Sequence, residues 1–123
     1  MKPGKLGVFY FLEMMRAPEM AAFARRVEDL GYAALSCPEA LGRESLSSAS
    51  FLLSSTKTLV IATGIANVFA RDAMTMAAGR NTLAEQSGGR FILGIGVSHQ
   101  PMVEGLRGHA YSKPLTYMTK YLD

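Results

Sequence analysis

The sequence predicts an α/β fold of about four successive β/α units in a single domain, residues 1–123. Three observations carry that expectation. Short, continuous apolar runs alternate with stretches of helical spacing, and glycine or proline marks the boundaries. The strand–helix unit recurs roughly every 25–32 residues, as β/α units with short connections require. The apolar runs are unbroken rather than alternating, which suits strands buried on both faces of a parallel sheet.

Residues 6–12 form the first such run, and Glu13 closes it. Pro18 then falls where a first helical turn tolerates it. Met20, Phe23, Ala24, Val27 and Leu30 follow at helical spacing, and Gly31 is placed to end that helix. Residues 32–36 are a short second strand, ended by Cys37-Pro38-Glu39. A loop containing Gly42 leads to a second helix with Leu46, Ala49, Ser50 and Leu53 on one face. Residues 59–65 are the third strand, rich in the β-branched Val60, Ile61, Thr63 and Ile65. Asp72 is an N-cap for the third helix, whose apolar face would be Ala73, Met76, Ala77, Leu83 and Ala84. Gly88-Gly89 stops it, residues 91–97 are the fourth strand, and a polar loop then leads to a helix opened by Pro114. This order fits either an open doubly wound sheet or a β/α barrel, and spacing does not separate them.

The composition is that of an ordinary globular protein, 49% apolar and 19% charged. The net charge of +3 comes from scattered residues. No basic stripe interleaved with aromatics is present, so nucleic acid is not an expected partner. Lys2 and Lys5 before an apolar stretch superficially resemble a signal peptide, but Glu13 follows without a small-residue cleavage site. Residues 59–70 are interrupted by Thr63, Gly64 and Asn67 and are too short for a bilayer, so no membrane role is expected. Cys37 is the lone cysteine, which excludes a disulfide framework and fits a reduced, cytoplasmic setting. His99 and His109 are too few for a zinc site without carboxylate help, and no metal is expected.

In parallel β/α folds, ligands gather at the C-terminal ends of the strands. Four segments therefore become candidates: Glu13, Glu39, the run Gly64-Ile65-Ala66-Asn67, and Ser98-His99. Glu13 and Glu39 can serve as acid or base groups, as ligand-orienting groups, or simply as solvated loop carboxylates. Gly94-Ile95-Gly96 does not make a dinucleotide loop, because the third glycine position falls on His99 and no helix opens directly afterwards. These glycines instead let a neighbouring backbone or a flat cofactor come close. His99 can donate a hydrogen bond or a proton near neutral pH.

The run from Thr63 to Asp72, then Gly88-Gly89-Arg90-Phe91-Ile92-Leu93-Gly94-Ile95-Gly96, resembles the luciferase-like monooxygenase superfamily. Within it, the similarity is to oxidoreductases that use the deazaflavin coenzyme F-420. Pro38-Glu39, Gly42-Arg43-Glu44, Val97-Ser98-His99 with Pro101, and the ending Tyr121-Leu122-Asp123 fit too. The resemblance implies the N-terminal half of a (β/α)₈ TIM-type barrel, so the chain is expected to be truncated or a fragment that lacks strands five to eight. It implies a non-prolyl cis peptide at Gly64–Ile65, with Ile65, Ala66 and Asn67 beside a tricyclic ring and Ser98 near its edge. It also implies His99 as a catalytic or substrate-contacting residue, with Glu13 and Glu39 as further ring-edge candidates. Some relatives place a catalytic histidine after strand two, where Ser36 and Cys37 stand here. The expected activity is hydride transfer between coenzyme F-420 and a small organic substrate. The alternatives are an FMN-dependent monooxygenase of the same superfamily and a catalytically incompetent remnant. The expected assembly is a homo-oligomer, because strands one and four would otherwise present free edges.

Overall fold

The computed structural model describes residues 4–123; Met1, Lys2 and Pro3 lie outside the described residues. Strand β1 (Gly7–Phe9) leads into helix α1 (Ala17–Asp29), strand β2 (Ala34–Cys37) and helix α2 (Ser45–Ser55). Strands β3 (Val60–Thr63) and β4 (Ala66–Asn67) precede helix α3 (Ala73–Gln86), and β5 (Phe91–Ile92) and β6 (Ile95–Gly96) follow it. A π-helical segment (Pro101–Leu106) and helix α4 (Pro114–Leu122) complete the order.

The main sheet runs β1-β2-β3-β5, all parallel, and a two-stranded parallel sheet pairs β4 with β6. Strand order therefore follows chain order, with no reversal. A doubly wound sheet reverses direction at a switch point, so the progression is that of a barrel wall.

Register separates the two faces. Val8, Leu35, Ile61 and Phe91 stand in one row across the sheet. Leu35, Ile61 and Phe91 are buried in the core with Met20, Ala24 and Val27 of α1 and Ala49, Leu52 and Leu53 of α2. The next row, Phe9, Ser36, Ala62 and Ile92, must point to the opposite face, because strand side chains alternate. Among the described residues, α1, α2 and α3 place their core side chains on the other face, that of Leu35 and Ile61. Phe9 is 57% exposed, with Phe11 beside it in an edge-to-face pair at 5.7 Å.

Several boundaries differ from the sequence reading, each for a local reason. The first apolar run yields a strand of only three residues. Leu12 beyond it is buried in the helix-side core, and Phe11 is 58% exposed. The fourth run breaks into β5 and β6, and the third ends early at Thr63 with β4 beyond its expected end, because the main chain steps from one sheet to the other after Thr63 and after Ile92. Asp72 does cap α3, accepting the Thr75 N–H at 2.8 Å. The apolar face expected for α3 is narrower than Ala73 and Ala77 suggested: both are exposed, and Met76 and Leu83 do the packing. On α2 the half-buried Leu46 and Ser50 flank the buried Ala49, Leu52 and Leu53. Gly31, at φ +84°, and Gly88-Gly89 end their helices in the left-handed conformation that glycine adopts freely. The polar loop before α4 holds a π-helical turn, in which the Arg107 N–H donates to the Met102 carbonyl and Val103 is fully buried.

Two charged residues lock the N-terminal end of the sheet. Glu28 Oε1 accepts the N–H groups of Lys57, Thr58 and Leu59. Arg90 donates to the carbonyls of Leu53 and Leu59 at 2.9 and 2.8 Å, tying the end of α2 to the start of β5.

Candidate functional site

Glu39, Gly64 to Asn67, Ser98 and His99 lie at or just past strand ends, and Glu13 lies further along the loop after β1. The peptide between Gly64 and Ile65 is cis, as expected. Around it the main chain is held on three sides. The Gly64 N–H donates to the Cys37 carbonyl at 2.8 Å, the Glu39 N–H to the Ile65 carbonyl at 3.3 Å, and the Ala66 N–H to the Gly94 carbonyl at 2.8 Å. A Cβ added at Gly64 would fall on Ser36 Oγ and against the Phe9 ring. Gly64 therefore belongs to the open face, beside Phe9 and Ser36.

The two strand-four glycines answer to packing. A Cβ at Gly94 would overlap the Thr63 carbonyl oxygen, and one at Gly96 would sit 2.7 Å from Ile65 Cγ1. The close backbone approach that the sequence offered as a reason is seen at Gly94; at Gly96 the neighbour is the Ile65 side chain instead.

Glu13 and Glu39 have defined work in the main chain. Glu13 accepts the N–H groups of Ala40, Leu41 and Gly42 at 2.9 to 3.1 Å, folding the loop after β2 around its carboxylate. Glu39 accepts the Asn67 N–H on Oε1 at 2.9 Å and the Ser45 N–H on Oε2 at 2.8 Å, and pairs with Arg71. Its side chain is only 2% exposed. Burial pushes the Glu39 carboxyl up, but the Arg71 hydrogen bond, the Asn67 and Ser45 amides and the charge of Arg71 together hold it below the ordinary 4.5. A carboxylate so engaged keeps its charge and is poorly placed to carry a proton to a ligand.

Ser98 and His99 follow β6 after Val97. Ser98 is left-handed at φ +54°, and its carbonyl accepts the Tyr111 hydroxyl at 3.2 Å. His99 is exposed at the rim, and its carbonyl accepts the Met102 and Val103 N–H groups that start the π-helical turn. Asn67 is buried, with Oδ1 accepting the Phe69 N–H at 2.8 Å. Burial pushes the Cys37 thiol up to about 12, so it stays protonated and unreactive at neutral pH. The structure thus joins Gly64, Ile65, Ala66, Asn67 and Glu39 into one hydrogen-bonded unit. Ser98 and His99 stand at the same end of the sheet, and Glu13 supports the neighbouring loop.

Sequence reasoning gave Arg71 no role, although it balances Glu39 and also pairs with Glu44 at 2.7 Å. Its position just before the Asp72 cap was the available signal. Nor did the sequence reveal the aromatic run that seats α4 on the rim. Phe69 stacks on Tyr117 at 4.4 Å, and the Tyr121 hydroxyl donates to the Arg71 carbonyl at 2.7 Å.

The arrangement suits binding of a flat, apolar ring more than acid–base chemistry. The open row of Phe9, Ser36, Ala62 and Ile92 contains no ionisable group, and an exposed aromatic stands at its edge. A pocket of about 20 Å³ lies on the helix side among Leu12, Met20, Cys37 and Leu52, and it is too small for any such ring. Among the described residues, no three His, Cys, Asp or Glu side chains cluster to hold a metal, and no helix is long and apolar enough to cross a membrane.

Comparison with known proteins agrees with this geometry. A Mycobacterium tuberculosis protein named as a coenzyme F-420-dependent oxidoreductase is 34% identical over 103 residues, which are 84% of this chain and 30% of that protein. The chain therefore spans about a third of that relative's length. The coenzyme F-420 dependent tetrahydromethanopterin reductase from Methanopyrus kandleri superposes with a TM-score of 0.81 at 17% identity, over 95% of this chain and 38% of its own. The oxygenating constituent of 3,6-diketocamphane monooxygenase from Pseudomonas putida, a type II Baeyer-Villiger enzyme solved with FMN, gives 0.80 at 15% identity, over 96% and 37%. The fold is thus shared with part of the barrel of both enzymes. The model of the luciferase-like monooxygenase family matches residues 4–123, essentially every described residue, and the chain belongs to that family.

Proposed function

We propose that this chain forms the ring-binding wall of a deazaflavin-dependent oxidoreductase, with hydride passing between coenzyme F-420 and a small organic substrate. The observation that carries the reading is the uncharged, aromatic-edged face of the sheet, bordered by the 64–67 segment. The identity to the mycobacterial F-420 protein supports the choice of coenzyme. When bound, the deazaflavin supplies the hydride chemistry. The protein contributes position, which can account for much of the barrier reduction when reacting atoms are held in line.

In this reading Ile65, Ala66 and Asn67 border the ring and Ser98 lies near its edge. The exposed His99 ring meets substrate and hands over or accepts a proton. Glu13 and Glu39 hold the loops that frame the ring rather than touching it. The test is a fluorescence and absorbance titration of the purified chain with coenzyme F-420 and, separately, with FMN. Saturable binding of the deazaflavin, tighter than FMN, supports the assignment; binding of neither refutes it. Preference for FMN would favour a flavin monooxygenase, a reading supported by the likeness to the FMN-bound Pseudomonas enzyme.

The same reading includes self-association. In the four-stranded sheet β1 and β5 each have a neighbour on one side only, and Leu6 and Phe9 are 70% and 57% exposed. Apolar free edges are templates for pairing with another chain, and a two-fold axis along the barrel would bring edges of matching direction together. Light scattering after size exclusion should give a mass of two chains or more. A monodisperse monomer contradicts it.

A further inference from the structure

Asn67 is gripped at both ends of its main chain by one ion pair. Its N–H donates to Glu39 Oε1 at 2.9 Å, and its carbonyl accepts Arg71 Nη1 at 3.4 Å. The two gripping side chains are paired with each other and nearly buried, 2% exposed for Glu39 and 9% for Arg71. Each is anchored elsewhere as well. Glu39 Oε2 accepts the Ser45 N–H, which fixes it to the start of α2, and the Glu39 N–H donates to the Ile65 carbonyl. Arg71 also reaches Glu44 through the same Nη2, and its own carbonyl accepts the Tyr121 hydroxyl from α4. The 65–67 segment is therefore referenced to α2 and α4 through a single carboxylate–guanidinium pair.

A buried carboxylate that merely balanced an arginine could sit anywhere within reach of it. Here one oxygen is spent on the backbone of the segment that borders the open face. Hydrogen bonds to a charged acceptor are stronger and more directional than neutral ones, so the carboxylate restrains Asn67 more firmly than a loop contact would. We propose that Glu39, with Arg71 as its counter-ion, is a positioning residue that sets the Asn67 main chain, and through it the edge that a bound ring meets. The proposal rests on the ring-binding reading given above.

The test compares the wild-type chain with Glu39→Gln and Glu39→Ala. Glutamine keeps an oxygen for the Asn67 N–H but gives up the charge opposite Arg71; alanine removes both. Two readouts are taken: amide hydrogen exchange at Asn67 by NMR, and deazaflavin affinity by fluorescence. Alanine should speed Asn67 exchange by about tenfold or more, while Ile61 in β3 stays protected, and should weaken deazaflavin binding by about tenfold. Glutamine should restore most of both. Unchanged Asn67 exchange in the alanine variant overturns the proposal, as does glutamine being as damaging as alanine. If the alanine variant does not fold, Arg71→Lys serves in its place. It keeps a cation beside Glu39 but loses the arm on the Asn67 carbonyl, so Asn67 exchange should rise with Ile61 unchanged, and no rise overturns the proposal. If the wild-type chain binds neither cofactor, the ring-binding reading fails, and the exchange comparison alone still decides whether Glu39 sets Asn67.

Discussion

Thr63 and Gly94 bond each other twice. Thr63 Oγ1 donates to the Gly94 carbonyl at 2.7 Å and accepts the Gly94 N–H at 2.9 Å. A side chain at the last residue of β3 thus replaces the ladder between the end of β5 and the start of β6. Thr63→Val keeps the shape and removes both bonds, leaving the Gly94 amide without its partner while the carbonyl keeps the Ala66 N–H. Loss of about 1–3 kcal/mol is expected in urea denaturation, since partly buried polar groups left unpaired retain their desolvation penalty. Gly94→Ala should cost at least as much, because its Cβ would overlap the Thr63 carbonyl. Wild-type stability in both variants would contradict this account.

Glu13 is expected to behave as a loop-folding residue. Glu13→Ala frees the three N–H groups of Ala40, Leu41 and Gly42. Their amide exchange should accelerate and stability should fall by about 1–2 kcal/mol, a modest figure because the loop is partly solvated. In an active preparation the pH dependence of turnover should keep its shape. A lost acidic limb would return Glu13 to a catalytic role.

Acid should loosen the site before it unfolds the helices. Glu39 and Glu44 are both held below the ordinary 4.5: burial raises each, and hydrogen bonds together with the charge of Arg71 lower each by more. A carboxyl whose folded value is depressed contributes stability above its unfolded value, and that contribution disappears as pH falls through the folded value. The loss window therefore opens near 4.5 and extends below it. Thermal unfolding from about pH 6 down to about pH 3 should show falling stability, and Glu39→Gln should flatten part of that slope. An identical slope in the variant would contradict the assignment.

For His99 the expected effect is on turnover. His99→Ala should lower it by at least about tenfold, within the range for lost acid–base assistance, and leave deazaflavin affinity within about twofold. The comparison needs a catalytically active preparation. Unchanged turnover would leave His99 as a solvated rim residue.

The sequence reading reached the order of β/α units, the Asp72 cap and the stops at Gly31 and Gly88-Gly89, because each follows from local propensity. It did not reach the division of strands three and four between two sheets. The step is made by hydrogen bonds between segments about 30 residues apart, such as Thr63 to Gly94, which no local pattern displays. The expected face of α3 was too wide, since helical spacing says where Ala73 and Ala77 point but not whether anything packs over them. Glu13 and Glu39 were legible as carboxylates at strand ends. Their partners are backbone N–H groups, which every residue carries and no sequence pattern displays, so their supporting work appears only in three dimensions. Arg71 was hidden in the same way, its value fixed by Glu39 at a distance of 32 residues.

The claim that the open face of the sheet receives a flat ring is tested most directly by NMR mapping. The ¹⁵N-labelled chain is titrated with coenzyme F-420 and each amide followed. The account predicts saturable shifts centred on Ile65, Ala66, Asn67, Ile92 and Ser98, with the amides of α1 and the middle of α2 unmoved. Shifts spread over the helix side of the sheet, or none at millimolar coenzyme, would contradict it.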